Sequence, residues 1–171
     1  MERHERRVYN LCLRMTGDPD DASDATQDTF LTTYRKLSSF RGQAAFSTWL
    51  HRVAVNACYD LLRKRARAPV LANSEESEGA IERGEPASDH ADEAAGTIDV
   101  ARALATVQEE FRAALVLHDV QDVPVQEVAA ILDVPVGTVK SRLHRGRIAL
   151  ARALEPEEPG GPDRPSKGRI P

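Results

Sequence analysis

The sequence predicts an all-α fold of two small helical domains joined by a flexible acidic linker. Apolar stripes with helical spacing lie near both ends of the 171-residue chain. Between them is a stretch rich in proline, glycine, alanine and serine with almost no apolar periodicity. We therefore expect the first domain over 1–67, the linker over 68–96 and the second domain over 97–154. The tail over 155–171, rich in proline and glycine, is expected to be disordered.

The chain opens with a predicted amphipathic helix. Its apolar residues recur at i, i+3, i+4 and i+7, at Val8, Leu11, Cys12 and Met15. Gly17 then favours the end of this helix. Cys12 and the other cysteine, Cys58, both read as inward-facing, and we expect them to be buried free thiols.

A second helix is predicted from Asp18, which suits the N-cap and is followed by Pro19 at the first helical position. One face of this helix continues as packed positions from Ala22 to Leu37. The opposite side is acidic, with no basic residue before Arg35, and carries Asp18, Asp20, Asp21, Asp24 and Asp28. On pattern alone, this acidic side is either a solvated surface or a docking face.

A third helix is predicted after Ser47 or Thr48, either of which can cap it, and it lies in a basic block. From Arg35 to Arg67 there are eight basic residues against Asp60 alone. Such a block favours phosphate contacts, and the interleaved aromatics Phe46, Trp49 and Tyr59 offer surfaces for unstacked bases. A lone tryptophan near a helix start is also often a core anchor, so both interpretations of Trp49 stay open.

The linker is strongly acidic. Over 73–99 it carries nine acids against one basic residue, Arg83. A chain of about 29 residues spans at most about 100 Å when extended. The two domains can therefore lie far apart if the linker is extended.

The stretch Val123–Leu150 predicts a helix-turn-helix. Val125, Val128, Ala129 and Leu132 form a stripe on a short helix, which Asp133-Val134-Pro135 interrupts. The second helix is predicted to face inward with Val136, Val139, Leu143, Gly146 and Leu150. Its outer face is basic, and it is suited to enter a DNA major groove. The simpler alternative is a basic surface helix of an ordinary bundle.

Composition narrows the class of protein. The formal net charge is −4, but the charges are segregated, with acids and bases in separate segments. No apolar run approaches the roughly 18 residues of a membrane span, and the polar start lacks a signal peptide's apolar core. We expect a cytoplasmic protein without membrane insertion. Without a phosphate-binding glycine loop, metal-ligand spacing or paired carboxylates beside a basic groove, we expect no enzyme, no catalytic residue, no cofactor and no metal.

The string GTVKSRLHRGR in the second predicted helix closely resembles region 4 of the sigma-70 family of RNA polymerase sigma factors, in the extracytoplasmic-function (ECF) group. The resemblance implies that this helix reads the minus-35 promoter element. The residues that it places there are Thr138, Lys140, Ser141, Arg142, His144 and Arg145, of which Thr138 and Arg142 are expected as phosphate or secondary contacts.

Two strings in the first domain carry the same resemblance. DDASDATQDTFLTTYRKL is similar to region 2.2, which docks on the clamp coiled coil of the largest polymerase subunit; this implies polymerase contacts at Asp24, Gln27, Asp28 and Phe30. FRGxxxFSTWLxRxAxN is similar to regions 2.3 and 2.4, which capture a flipped base of the minus-ten element. The implied residues are Arg41, Phe46, Trp49, Arg52 and Asn56 around the pocket, with Arg63 and Lys64 on the DNA backbone.

The resemblance therefore implies an ECF sigma factor that binds core RNA polymerase through its clamp and flap, recognises both promoter elements and helps to melt the promoter. Such factors commonly have an anti-sigma partner. In the turn, Asp133 stands where the family often has glycine. The alternative is a stand-alone dimeric helix-turn-helix regulator, which explains Val123–Leu150 but leaves the acidic helix and the FSTW block without a role.

Overall fold

The computed structural model describes residues 2–42, 44–67 and 100–155. Within these ranges the chain is helical and contains no strand. The acidic linker expected over 68–96 and the tail expected to be disordered, apart from Glu155, lie outside the described residues.

The N-terminal part consists of three helices, α1 (Glu2–Thr16), α2 (Pro19–Lys36) and α3 (Phe46–Arg67), with a 3-10 turn at Leu37–Ser39 after α2. Gly17, at φ 76°, ends α1. Asp18 caps α2, since its carboxylate accepts a 2.9 Å hydrogen bond from the main-chain amide of Asp21. The predicted boundary between the first two helices is confirmed.

The predicted apolar stripe on α1 is also confirmed, because Val8, Leu11, Cys12 and Met15 are each at most 1% exposed. Buried residues of α2 and α3 complete this core, including Ala22, Ala25, Thr29, Leu50, Ala54 and Cys58. Both cysteines are buried free thiols, as expected. A hydrogen bond to Cys12 and burial together raise the pKa of Cys58.

The C-terminal part begins with a helix over 100–106, called α4 here, and continues with α5 (Glu109–Leu115). Leu104, Val107, Phe111 and Leu115 recur with helical spacing from Val100. The helix nevertheless breaks at Val107 and Gln108, and α5 runs on into a π-helical turn at Val116–Val120. A wider turn of this kind shifts the register of the residues that follow, which a fixed spacing of 3.6 residues does not anticipate.

The helix-turn-helix is formed by α6 (Val125–Leu132) and α7 (Val136–Leu154). Asp133 ends α6 in the left-handed conformation, at φ 55° and ψ 48°. Aspartate tolerates this region better than most residues, so it can take the place that glycine often fills. The predicted helix, turn and second helix are confirmed.

The two parts pack against each other, which the sequence pattern does not predict. Helix α6 lies against α3, and α5 with its π-helical turn lies against α1. The buried apolar residues of both parts form one continuous core. The side chain of Arg112, on α5, is buried at this junction and donates to the carbonyl of Met15 at the end of α1.

Candidate nucleic-acid interface

Helix α7 presents a basic and polar face opposite its packed face. Val139, Leu143 and Gly146 are buried, whereas Lys140, Ser141, His144 and Arg145 are exposed, as indicated for a recognition helix. Gly146 has a packing role, because a Cβ there would lie 2.9 Å from Cδ1 of Leu115. A residue without a side chain thus lets α7 approach α5 closely.

Val136 does not face inward as the spacing predicts. It is the first residue of α7 and is 37% exposed, next to Gly137, whose Cβ position has no atom within 4 Å. Val136 lies three residues before the buried Val139, but helical spacing alone does not ensure burial in the first turn of a helix. Val136 lies instead at the exposed start of α7.

Two of the predicted minus-35 residues lie at the edge of the exposed face. The Arg142 guanidinium donates to the Glu110 carboxylate of α5 at 2.7 Å, and its side chain is only 18% exposed. Thr138 is half-buried, and its carbonyl accepts a 2.8 Å hydrogen bond from the hydroxyl of Ser141. Arg142 therefore ties α7 to α5, whereas Ser141 is held in place by its own helix.

The other arginines of α7 differ in their surroundings. Arg145 is exposed, with its guanidinium 6.0 Å from the ring centre of Phe111. Arg147 forms a bidentate pair with Asp119, at 2.9 and 2.7 Å. Hydrogen bonding and charge attraction from Asp119 raise the pKa of Arg147 further. Arg145 consequently keeps its hydrogen-bonding groups available to an incoming ligand, while those of Arg147 are partly engaged.

An aromatic cluster lies at the start of α3. The Trp49 ring is 5.2 Å from Phe40 and 5.7 Å from Phe46, measured between centroids, and Phe40 and Phe46 are 5.7 Å apart. The ring of His4 adds an edge contact to Phe46 at 5.8 Å. Sequence reasoning found Phe46 and Trp49 but missed Phe40 and His4. Phe40 could have been found from its position directly before Arg41-Gly42. His4 could not, because it lies on α1 and is far from the cluster in sequence.

The remaining predicted minus-ten residues lie on or near the exposed side of α3. Arg41 is exposed beside Gly42, which has φ 68°, and Asn56 and Lys64 are exposed on α3. Arg63 lies 3.4 Å from Asp60 in the same helix. Arg52 faces the helix-turn-helix, with its guanidinium 3.7 Å from the carboxylate of Asp133.

Tyr59 lies on the same helix but points into the junction between the two parts. Its phenol is close to Arg142, Glu109 and Glu110, and burial raises its pKa to about 12. Tyr59 remains neutral at physiological pH and forms part of a packed contact rather than an exposed stacking surface.

The predicted polymerase residues are on α2. Asp24, Gln27 and Asp28 are exposed, and Phe30 is half-buried. Gln27 and Phe30 line an open groove of about 890 Å³ between α1 and α2, together with Tyr9, Leu31 and Tyr34. Leu31 is 45% exposed and Tyr34 is 75% exposed. This apolar floor is called here the α1–α2 groove. It was not predicted, because Tyr34 reads as part of the packed face that the spacing extends to Leu37. That extension is wrong, since Leu37 is 50% exposed as well.

The acidic residues of α2 lie beside the basic residues at the end of α3. Asp24 and Asp28 share a second groove, of about 550 Å³, with Arg63 and Lys64 of α3. The first turn of α2 is joined to the end of α3 by an ion pair between Asp21 and Arg65. Burial raises the pKa of Asp21, although the charge of Arg65 opposes the shift.

None of the helices in the described ranges is both long and apolar enough to cross a membrane. In the same parts of the chain, no three His, Cys, Asp or Glu side chains cluster so that they could hold a metal ion.

Comparison with known proteins agrees with this arrangement. The family description Sigma-70 region 2 matches residues 1–68, and Sigma-70, region 4 matches residues 98–150. The chain is 40% identical over 152 residues to the ECF RNA polymerase sigma factor SigM of Mycobacterium tuberculosis, covering 89% of this chain and 74% of SigM. It is 37% identical to the ECF RNA polymerase sigma factor SigE of Mycolicibacterium smegmatis, covering 88% of this chain and 58% of SigE.

Solved structures show the same fold. The sigma factor RpoE of Bartonella quintana, in complex with the anti-sigma factor NepR, matches with a TM-score of 0.69 and 25% identity, covering 90% of this chain and 93% of that one. CnrH, in complex with the cytosolic domain of CnrY, matches with a TM-score of 0.67 and 23% identity, and the match covers 92% of this chain and 86% of CnrH. Because both regions match in this order and SigM is 40% identical, the chain belongs to the ECF group of the sigma-70 family of RNA polymerase sigma factors.

Proposed function

We propose that this chain acts in the cytoplasm as a transcription initiation factor that binds core RNA polymerase, recognises the minus-35 and minus-ten promoter elements and helps to melt the promoter. The observation that carries the proposal is the pair of dissimilar DNA-facing helices in one chain. Helix α7 has an exposed basic face suited to a duplex groove, and α3 has aromatic rings clustered at its start.

Recognition of the minus-35 element is assigned to the exposed face of α7. Lys140, Ser141, His144 and Arg145 can reach base edges from a helix placed in the major groove. Thr138 and Arg142 lie at the margin of that face and are assigned phosphate or supporting contacts. The N-terminal residues of a recognition helix enter the groove most deeply, which is where Val136 and Gly137 are exposed.

Capture of a minus-ten base is assigned to the surface around Trp49 and Phe46, and we include Phe40 because its ring lies against both of them. Extruding a base costs a few kcal/mol, which stacking on such rings offsets by about 1–3 kcal/mol per base. Arg41, Arg52 and Asn56, which are exposed, are assigned to the captured base and its flanks, and Arg63 and Lys64 are assigned to the DNA backbone. Melting is thereby driven by binding energy and needs no hydrolysis.

The polymerase contact is assigned to α2. Its exposed acids Asp24 and Asp28 complement a basic partner, and the adjacent α1–α2 groove offers apolar area to the same partner. The clamp coiled coil of the largest polymerase subunit is the proposed partner, with the flap contacting the C-terminal part. An anti-sigma factor is also proposed, because both structural neighbours are complexes, one with the anti-sigma factor NepR and one with CnrY.

Co-elution with core RNA polymerase tests the polymerase assignment. The variant Asp24→Arg with Asp28→Arg should lose co-elution on size exclusion, while it keeps binding to DNA. Glu155→Arg, a charge reversal of an exposed acid at the end of α7, serves as control and should co-elute like the unaltered chain. Unchanged co-elution of the double variant would refute the assignment to α2.

A further inference from the structure

Arg145 differs from two other arginines of α7 in the kind of group that lies beside it. Arg142 and Arg147 are each paired with a carboxylate at 2.7 Å. The guanidinium carbon of Arg145 instead lies over the ring of Phe111, 6.0 Å from the ring centroid. Because the face of an aromatic ring carries partial negative charge, it attracts a guanidinium. Phe111 therefore holds Arg145 by a different interaction from the one that holds its neighbours.

The two kinds of partner leave different hydrogen-bonding groups available. A carboxylate accepts hydrogen bonds from the N–H groups of an arginine, so these donors are occupied when a second acceptor arrives. A ring face attracts the positive charge and leaves the N–H groups at the edge of the guanidinium available. Arginine needs two of these donors to bind O6 and N7 of guanine in the major groove. The surroundings of Arg145 thus suit a side chain that reads a base.

Phe111 comes from α5, and the close packing of α5 on α7 brings its ring to Arg145. Gly146, the residue after Arg145, is buried, and a Cβ there would lie 3.3 Å from the Cβ of Phe111. The absence of a side chain at Gly146 allows this approach. Phe111 is partly buried and packs against the apolar core. Its ring is therefore anchored in the protein, while the guanidinium beside it is exposed.

An anchored ring changes the cost of using an exposed arginine. The side chain of arginine has many rotamers, and fixing them opposes binding. A ring that already restricts the guanidinium lowers this cost before DNA arrives. With a base that cannot accept both N–H groups, the same restriction brings no gain. Specificity at one base pair, rather than affinity for all sequences, is therefore the quantity that Phe111 should change.

We propose that Phe111 is a positioning residue for base recognition, and that its ring holds the Arg145 guanidinium where it donates to O6 and N7 of one guanine in the minus-35 element. The inference rests on the proposed function and deepens it. It names the base that is read and a residue outside the helix-turn-helix that helps to select this base. Arg145 itself makes the contact to DNA, and Phe111 acts through it.

The experiment uses holoenzyme reconstituted from core RNA polymerase and the full chain. A duplex pool randomised over the minus-35 window first gives the sequence that the unaltered chain prefers. The specificity ratio at each position is the affinity for this sequence divided by the affinity for a duplex with that base pair changed. Arg145→Ala should lower the ratio at one guanine by at least about fivefold, which identifies the base pair that Arg145 reads.

Replacements at position 111 then separate positioning from packing. Phe111→Leu keeps an apolar side chain without a ring face, and we expect the ratio at that guanine to fall about threefold, with the other positions unchanged. Phe111→Tyr keeps the ring face and should keep the full ratio. Pentafluorophenylalanine in place of Phe111 keeps the shape of the ring but reverses the charge on its face, so it should lower the ratio as leucine does. It also keeps the test decisive if Phe111→Leu folds poorly.

Two controls show whether the effect passes through Arg145. In an Arg145→Ala background, Phe111→Leu should not lower the ratio at that guanine any further. Leu150→Ala shortens another partly buried side chain that packs on the same core, and it should lower thermal stability without changing the ratio.

An unchanged ratio for Phe111→Leu or for the fluorinated ring would overturn the positioning role, and so would an equal loss at every position. An equal loss on every sequence for Arg145→Ala would overturn it as well. A holoenzyme that prefers no duplex sequence would instead contradict the proposed function itself.

Discussion

The guanidinium of Arg112 donates a hydrogen bond to the main-chain carbonyl of Met15, which joins α5 to the end of α1. The same side chain donates to the carbonyls of Ala105 and Val107, at 2.6 and 2.8 Å from Nη2. Carbonyls at the C-terminal end of a helix carry partial negative charge, so a buried arginine is stabilised there without a carboxylate. Burial lowers the pKa of Arg112, yet arginine remains charged in proteins.

Replacing Arg112 should therefore destabilise the fold. Arg112→Met leaves the carbonyls of Met15, Ala105 and Val107 without this donor, and we expect a loss of about 2–4 kcal/mol in the free energy of unfolding. Urea denaturation followed by circular dichroism measures this free energy of unfolding. Arg102→Met, at an exposed position of α4, should cost less than about 0.5 kcal/mol. A loss below 1 kcal/mol for Arg112→Met would show that water satisfies these carbonyls.

The two glycines of α7 should respond in opposite ways to alanine. Gly137→Ala adds a methyl group in open space, and we expect a gain of up to about 1 kcal/mol in stability. Gly146→Ala adds it 2.9 Å from Leu115 Cδ1 and 3.3 Å from Phe111 Cβ. Overpacking of this kind costs about 1–3 kcal/mol, which exceeds the gain in helix propensity. Thermal unfolding measures the stability of both variants. A stabilised Gly146→Ala variant would mean that Leu115 and Phe111 of α5 can move away from the added methyl group without loss of stability.

Substitution of Arg145 should change the sequence specificity of DNA binding, whereas substitution of Arg142 should change the stability of the fold. Arg145→Ala should relax specificity at one minus-35 base by about 1–3 kcal/mol, because its exposed guanidinium is free to reach base edges. Arg142→Ala breaks the 2.7 Å contact to Glu110 and should lower stability while leaving the order of preferred sequences unchanged. Binding to a panel of single-base minus-35 variants measures both effects. An equal loss on every sequence for Arg145→Ala would assign it to phosphate contact alone.

The aromatic cluster should be needed for melting more than for duplex binding. Phe40→Leu removes the ring that lies 5.2 Å from Trp49, and we expect open-complex formation to fall by about 1–3 kcal/mol, with duplex minus-35 binding unchanged. Permanganate reactivity of unpaired thymines measures opening. Leu154→Ala truncates an exposed apolar side chain at the end of α7, outside the aromatic cluster, and should leave opening unchanged. Equal opening by the Phe40→Leu variant would exclude a role for Phe40 in base capture.

His51 should make stability depend on pH. Burial lowers the pKa of His51, Arg7 and His4 lower it further, and Glu127 opposes them. Since the pKa in the unfolded chain is about 6.5, the unfolded chain binds more protons just below that pH. Stability is then fully present above about pH 6.5 and falls as the pH drops below it. Urea unfolding at pH 7.5 and 5.5 should show a larger acid-induced loss for the unaltered chain than for His51→Asn. Identical losses would mean that His51 does not titrate differently on folding.

Local chemistry explains which parts of the fold could be predicted from sequence. The end of α1 at Gly17, the start of α2 at Asp18-Pro19 and the turn before α7 at Pro135 each depend on one or two residues whose backbone preferences are strong. The apolar stripe of α1 follows from the helical repeat alone. These features needed no knowledge of distant parts of the chain.

Features that depend on distant contacts could not be predicted. Arg112 reads as an exposed arginine on an amphipathic helix, and only its approach to Met15, 97 residues away, buries it. Val136 satisfies the spacing of a buried residue but lies at the start of α7, where it is 37% exposed. Tyr34 and Leu37 likewise continue the packed pattern of α2 beyond Thr33, the last buried residue of that helix, and both are exposed.

Run-off transcription tests the central claim most directly. Purified core RNA polymerase would be incubated with sheared genomic DNA in the presence and absence of this chain. Discrete transcripts that depend on the chain, with start regions that share a minus-35 and a minus-ten element, are the predicted result. An absence of transcripts, together with a symmetric footprint on DNA without polymerase, would contradict the account and favour a dimeric helix-turn-helix regulator.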